Sequence, residues 1–306
     1  MRGERTGMDQ KAYCHALNLI PQLGPVRINR LLKACGSARE VWNAPEPRLA
    51  AVEGFGEKLA AQVVAVRARI DPARAWQELC GKGFGAVAQD EYGYPPLLRE
   101  IYDPPPLLYY SGDLQVLQKS CLAVVGSRRH TAYGREIAYK FAARLAACGI
   151  TVVSGLARGI DTWAHRGALK VKGTTAAVLG CGLDICYPPE NSLLMQSIRQ
   201  QGVVLSEFPP GSEPLPANFP RRNRLISGLS LGTVVVEAGE KSGALITASF
   251  ALEQGREVFA VPGSITSPCS RGCHYLIKEG AKLVDGVESI LEEFPHEYFN
   301  RLRVNI

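Results

Sequence analysis

Leu122-Ala123-Val124-Val125-Gly126-Ser127-Arg128-Arg129 is a short apolar run that ends on a turn of small and basic residues, and helical periodicity follows from Gly134 to Ala147. An uninterrupted apolar run of this length suits a strand covered on both faces, as in a parallel sheet. The unit recurs along the chain. Apolar runs lie at Ile150 to Val153, Thr174 to Leu179, Val203 to Leu205, Thr233 to Val236 and Val258 to Val261, and helical stretches separate most of them at Thr162 to Lys170, Ser192 to Arg199 and Leu245 to Gln254. This alternation predicts an α/β fold built on a doubly wound, mostly parallel sheet. Proline-punctuated short strands upstream, Phe84 to Ala88 and the stretch from Tyr94 through Tyr110, are expected to extend it at one edge.

The chain divides near residue 72. Before it, Ala12 to Val66 is rich in helix formers and carries two similar turns, Ile20-Pro-Gln-Leu-Gly24-Pro25 and Val52-Glu-Gly54-Phe-Gly56, each ahead of an amphipathic helix. These resemble a pair of helix-hairpin-helix motifs, whose glycine turns can approach a phosphate. The same turns also serve packing in small helical domains. The nearby cations Arg27, Arg30, Lys33 and Lys58 are balanced in part by Glu53 and Glu57. The expected organisation is a small all-α, SAM-like segment over 1–72 and a sheet domain over 73–306.

The 306 residues are 46% hydrophobic, enough for a full core, and carry a formal charge of +6, a mild bias toward anionic partners. No apolar run approaches the roughly 20 residues of a membrane span, and MRGERTGMDQK lacks the apolar centre of a signal peptide, so the cytoplasm is expected and no membrane. Nine cysteines without a CxxC pair read as reduced, buried small residues. Cys269 and Cys273 stand near His274, but no second ligand pair accompanies them, so no metal is expected.

In doubly wound sheets, ligands sit at the carboxyl ends of the strands. Three turns there have phosphate-binding character: Gly126-Ser127-Arg128-Arg129, whose following helix offers its N-terminus; Ser154-Gly155; and Ser242-Gly243, with the Thr247 hydroxyl behind it. Ahead of the fifth parallel strand lies Phe219-Pro220-Arg221-Arg222-Asn223-Arg224, three guanidiniums within four positions and no acid. This is either a solvated helix face or an anion site, since the guanidinium fork matches phosphate oxygens in pairs. A dinucleotide site fails on detail. There is no GxGxxG after the first strand, Gly180-Cys-Gly182 lacks its third glycine, and no Walker lysine motif is present. Asp161 and His165 would share a helix face, and a cap and a core hydrogen bond account for them more simply than catalysis. Glu207 and Glu237 end strands and are expected to pair with Arg222 or Arg224.

Val125-Gly126-Ser127-Arg128, Ser154-Gly155-Leu-Ala-Arg-Gly159-Ile-Asp161-Thr-Trp-Ala-His165, Phe219-Pro-Arg-Arg222-Asn223-Arg224 and Glu237-Ala-Gly-Glu-Lys-Ser242-Gly243-Ala-Leu-Ile-Thr247 follow in the order and spacing of the DprA/Smf DNA-processing family, which this sequence resembles over roughly 73–293. The resemblance implies an extended Rossmann-like domain that binds single-stranded DNA, protects incoming DNA in natural transformation and loads the RecA recombinase. It implies no enzymatic activity and no cofactor. It also implies a homodimer, formed through a surface within Val258 to Leu291. Carried over by motif, Gly126, Ser127, Arg128 and Arg129, with Ser154 and Gly155, Phe219, Arg221, Arg222, Asn223 and Arg224, and Ser242, Gly243 and Thr247, would contact DNA. Arg222 and Arg224 match the motif and Arg221 falls at a variable position. Replacing both Arg222 and Arg224 by glutamate is therefore expected to abolish binding and leave the fold intact.

Two departures stand out. Many members carry a C-terminal winged helix, whereas Ile306 follows soon after Leu291-Glu-Glu-Phe, so no such domain is expected; and His274 occupies a turn position usually held by asparagine. Outside this family, the nearest alternative is a nucleoside-monophosphate phosphoribohydrolase of the lysine-decarboxylase-like group, with Glu237 as its carboxylate. Its Pro-Gly-Gly-x-Gly-Thr turn is missing here.

Overall fold

In the computed structural model, which describes residues 2–295, six helices precede the first strand: α1 Arg2–Asn18, α2 Pro25–Cys35, α3 Ala38–Asn43, α4 Glu46–Ala50, α5 Gly56–Arg67 and α6 Pro72–Gly81. The strands are β1 Gly85–Ala88, β2 Leu107–Gly112, β3 Cys121–Val125, β4 Thr151–Ser154, β5 Thr175–Leu179, β6 Val203–Ser206, β7 Gly232–Val235, β8 Glu257–Ala260 and β9 Lys282–Leu283. Among them lie α7 Pro96–Arg99, α8 Ala132–Ala147, α9 Ile160–Lys170, α10 Ser192–Gln201, α11 Asn218–Gly228, α12 Gly243–Glu253 and α13 Arg271–Lys278, and α14 Val287–Leu291 closes the series.

All nine strands form one sheet in the order β1-β2-β6-β5-β4-β3-β7-β8-β9. The first two pairings, β1 with β2 and β2 with β6, are antiparallel and the rest are parallel. The α/β, mostly parallel expectation holds, and β1 and β2 extend one edge as expected, but the expected strand after Tyr94 is instead the short helix α7. Winding proceeds outward from β3 through β4, β5 and β6 on one side and from β7 through β9 on the other. The reversal between β3 and β7 parts the loops at their carboxyl ends and opens a crevice. The arginine cluster lies on a helix, α11, one of the two readings the sequence left open, whereas the two-residue β9 is too short to register as an apolar run.

Every residue of β3 to β7 is buried, the pattern of strands covered on both faces. One face packs on α8 and α9 through Leu122, Val124, Val152 and Val234. The helical N-terminal layer shares a core with the sheet: Leu17, Ile28, Leu31 and Leu49 meet Leu107, Tyr109, Ala177 and Val204. Tyr109 bonds His15 Nδ1 at 2.8 Å through its hydroxyl, and Asn18 reaches both that hydroxyl and the Glu207 carbonyl, at 3.1 Å each. Asp71 caps α6, where the expected boundary falls, and Trp76 of that helix meets His15 edge-on. Met1 and residues 296–306, the end of the expected second domain, lie outside the described residues.

His15 and His165 are both buried, 4% and 0% exposed. Thr175 donates its hydroxyl to the Val152 carbonyl, so the 2.7 Å contact with His165 Nδ1 has the ring as donor. Burial lowers His15 to about 4, and burial with the nearby Arg222 charge lowers His165 to about 3. Folding therefore favours the neutral rings. Their contribution is whole above pH 6.5 and is lost progressively as pH falls toward the folded values. Asp161 and Glu207, raised by burial against Arg222 and Arg224, act in the opposite sense. Urea denaturation at pH 7 and pH 5.5 isolates one ring: the acid loss in a His165→Gln variant should be smaller than in the parent by about 1 kcal/mol. An identical loss in both would contradict the buried neutral histidine.

Candidate functional site

The crevice at the β3/β7 reversal is a cleft of about 790 Å³ whose lining includes Gly126 to Arg129, Asp161, Tyr187, Phe219, Arg222, Asn223, Lys241 to Ala244 and Thr247. Three segments build it: the loop after β3, the start of α11 and the turn into α12.

The loop after β3 is held by its own atoms. Ser127 N donates to the Glu237 carbonyl at 2.7 Å, and its hydroxyl donates to the Arg129 carbonyl while accepting the Arg129 amide. A Cβ on Gly126 would stand 2.6 Å from Ile160 and 2.8 Å from the Glu237 carbonyl, so only glycine permits this approach. Arg128 and Arg129 project outward and are exposed. The N-terminus of α8 is not open to a ligand as the sequence suggested. Glu237 accepts from the Thr131 amide at 2.9 Å and from its hydroxyl at 2.6 Å, so a carboxylate of the protein already neutralises that helix end. Glu237 was expected to pair with an arginine; it caps α8 instead. The end of α12 differs: Ser242 caps it through the Ala244 amide, no acid lies in its first turn, and Gly243 is exposed in the cleft.

The three arginines of α11 take three different places, because successive helical residues point about 100° apart. Arg222 is 4% exposed and forms the floor of the cleft. Its Nη1 donates to the carbonyls of Gly155, at 2.7 Å, and of Val178, and its Nε donates to Asn223. Burial depresses it to about 10 while Asp161 opposes that shift. Asp161 in turn accepts the Gly155 and Ala157 amides at the first turn of α9. Arg224 is 5% exposed and turns away from the cleft, donating to Asp103 at 2.8 Å and Glu207 at 2.7 Å. Arg221 is exposed and borders a second groove beside Gly24, with its guanidinium 5.8 Å from the Phe208 ring.

These placements correct the sequence reading at three positions. Ser154 and Gly155 are buried; the serine hydroxyl donates to Val124 O at 2.7 Å, and the space a Cβ on Gly155 would need holds the Arg222 guanidinium. Arg224 is consumed by an internal ion pair. The Arg222→Glu, Arg224→Glu variant, expected to stay folded, would bury two acids without partners, so it reports on folding and not on binding.

The aromatic and basic groups that do face the cleft form a tight set. Phe219 meets Tyr187 at 5.3 Å between ring centroids, and the guanidiniums of Arg128 and Arg222 lie 5.6 and 5.9 Å from its centre. Asn223 donates to the Gly243 carbonyl at 3.2 Å and links α11 to the turn into α12. Lys241 and Tyr187 were not singled out from the sequence. Lys241 immediately precedes Ser242-Gly243, and Tyr187 sits in the loop that leaves β5 at the same rim; that position was the available signal. Arg128, Arg129 and Lys241 are exposed and make no ion pair among the described residues, and the neighbouring Glu240 is held by Arg271 at 3.3 Å. The cleft is thus rich in unneutralised positive charge.

The second groove, about 830 Å³, runs between the Gly24 turn and α11 and mixes Arg27 and Arg221 with Asp103, Glu207 and Glu213. In the other hairpin, Arg30 donates to the Glu53 carbonyl and pairs with its carboxylate at 3.7 Å. His274 donates from Nε2 to the Gly263 carbonyl at 3.1 Å and lies outside the cleft. Among the described residues no cluster of metal ligands occurs, and no helix is long and apolar enough to cross a membrane.

Comparison with known proteins gives a consistent picture. A family model described as DNA recombination-mediator protein A matches residues 86–295. The Smf protein of Synechocystis is 41% identical over 279 residues, which cover 90% of this chain and 70% of that protein. The X-ray structure of DNA processing protein A from Streptococcus pneumoniae superposes with a TM-score of 0.82 at 38% identity, over 94% of this chain and 98% of that one. DNA processing protein A from Helicobacter pylori, whose structure concerns its single-stranded DNA binding mode, gives a TM-score of 0.63 at 30% identity, over 69% of this chain and 97% of that one.

Proposed function

This chain belongs to the DNA recombination-mediator protein A family, and from that premise we propose that its cleft binds single-stranded DNA, that the protein protects incoming DNA during natural transformation, and that it passes the strand to RecA. The observation that carries the reading is the juxtaposition of Arg128, Arg129 and Lys241, exposed and without ion pairs among the described residues, with the Tyr187 and Phe219 rings and the α12 N-terminus, whose first turn holds no acid. The cations take successive phosphates and release counterions. The rings stack on bases, which tolerates any sequence because every base has a π-face. The described mode of the Helicobacter pylori relative supports the same substrate class.

Arg222 acts beneath the surface. Tied to two carbonyls, it fixes α11 against the ends of β4 and β5 and adds positive potential at the cleft floor. We place a homodimer contact on the face carrying Ile265, Tyr275 and Leu283, which are 87%, 57% and 47% exposed. The phosphoribohydrolase alternative asks for a carboxylate free to act in the cleft, whereas both Glu237 oxygens are engaged by Thr131 and the residue is 2% exposed. The reading is therefore of a binding protein, not an enzyme.

Phe219→Leu tests the stacking role while keeping an apolar side chain beside Gly180. Oligothymidine affinity, followed by fluorescence anisotropy, should fall about tenfold, within the range of a lost base stack. Unchanged affinity would assign Phe219 to packing alone.

A further inference from the structure

We infer that a strand held in the cleft continues past His130 onto a second cationic surface, where Arg135 and Arg166 stand against the ring of Trp163; the inference rests on the cleft binding single-stranded DNA. The loop that carries Arg128 and Arg129 ends at His130, and His130 is bonded directly to this surface. Trp163 donates its indole N–H to His130 Nε2 at 3.2 Å, which places the imidazole proton on Nδ1, where it is donated to the Thr131 carbonyl at 2.9 Å. The two rings meet edge-on at 6.4 Å.

Arg135 comes from α8 and Arg166 from α9, one turn beyond Trp163, and their guanidinium carbons lie 5.4 and 4.8 Å from the centre of its rings. Both arginines are exposed, and among the described residues neither makes an ion pair or a side-chain hydrogen bond. The nearest acid on α8, Glu136, is engaged by Lys140 at 2.6 Å. Stacking on indole restrains the two forks without using their N–H groups. Restrained donors lose less entropy when a ligand arrives, and guanidinium forks match phosphate oxygens.

Charge selects this exit among those the cleft offers. A strand passing over α11 would enter the second groove, where Asp103 and Glu213 offset Arg27 and Arg221, and one passing over α12 would meet the exposed Ile246. Toward His130 it meets Arg128, Arg129, Arg135 and Arg166 in turn. The surface therefore extends the footprint on the DNA backbone and adds two phosphate contacts that a short strand confined to the cleft does not reach.

Oligothymidines from about 4 to about 20 nucleotides, titrated by anisotropy against the full chain and an Arg135→Ala, Arg166→Ala variant, test this across a salt series. Both side chains are exposed, so the variant is expected to keep its melting temperature. Its affinity for the shortest strands should match the parent, its affinity for the longest should fall about tenfold, and its salt slope on them should be shallower by about 1.4, two contacts at roughly 0.7 each. Equal affinity and slope at every length would overturn the inference while leaving the cleft reading intact. Failure of the parent to bind the short strands would remove both.

Discussion

Arg128→Glu combined with Lys241→Glu is expected to leave thermal stability unchanged and to weaken oligothymidine binding about a hundredfold at moderate salt. The two side chains are exposed on the lining of the cleft, and neither makes an ion pair or a side-chain hydrogen bond among the described residues. Surface charge changes away from caps and buried networks usually alter stability by about 0.5 kcal/mol or less. Reversal removes two phosphate contacts and introduces two repulsions at the same points. The salt slope should become shallower as well, by roughly 0.7 for each lost contact on a single strand. Anisotropy and a melting curve on the same preparation separate the two effects.

Arg224→Ala should do the reverse. Arg224 bridges Asp103, which is 27% exposed, and Glu207, which is 2% exposed, so its removal strands a buried carboxylate. Breaking a buried pair from one side costs about 3–5 kcal/mol, roughly 10 °C in Tm for a domain of this size. Glu207 is already pushed upward by burial, with Arg224 opposing the push, so the carboxyl should take up a proton more readily in the variant. The stability difference between parent and variant should narrow as pH falls. DNA affinity, measured below the transition, should stay within a few-fold of the parent. A variant as stable as the parent would mean that the pair is not closed in solution.

The contrast between these variants marks where sequence reasoning reached its limit. The parallel sheet was legible because buried strands leave continuous apolar runs, and the cleft was legible because Gly126-Ser127 and Ser242-Gly243 both follow such runs at one rim. What the sequence could not distinguish was which basic groups face water. Arg222 and Arg224 both match the motif and look equivalent in a string, and only the α11 phase assigns one to the cleft floor and the other to an ion pair, with Arg221 beside a second groove. Glu237 was misassigned for a related reason: its partner, Thr131, lies over a hundred residues away, and nothing local announces that contact. Asp161 and His165, read as a helix start and a core hydrogen bond, hold those places because their partners are backbone amides and Thr175.

The central claim is that exposed cations at the β3/β7 crevice bind the backbone of single-stranded DNA. The most direct measurement is a titration of the full chain with a short dye-labelled oligothymidine and with a duplex of equal length across a salt series. The account predicts tighter binding of the single strand at every salt concentration and a slope of log affinity against log salt near −2, from Arg128, Arg129 and Lys241 at roughly 0.7 each. No binding at low salt, or an affinity for the single strand indifferent to salt, would contradict it.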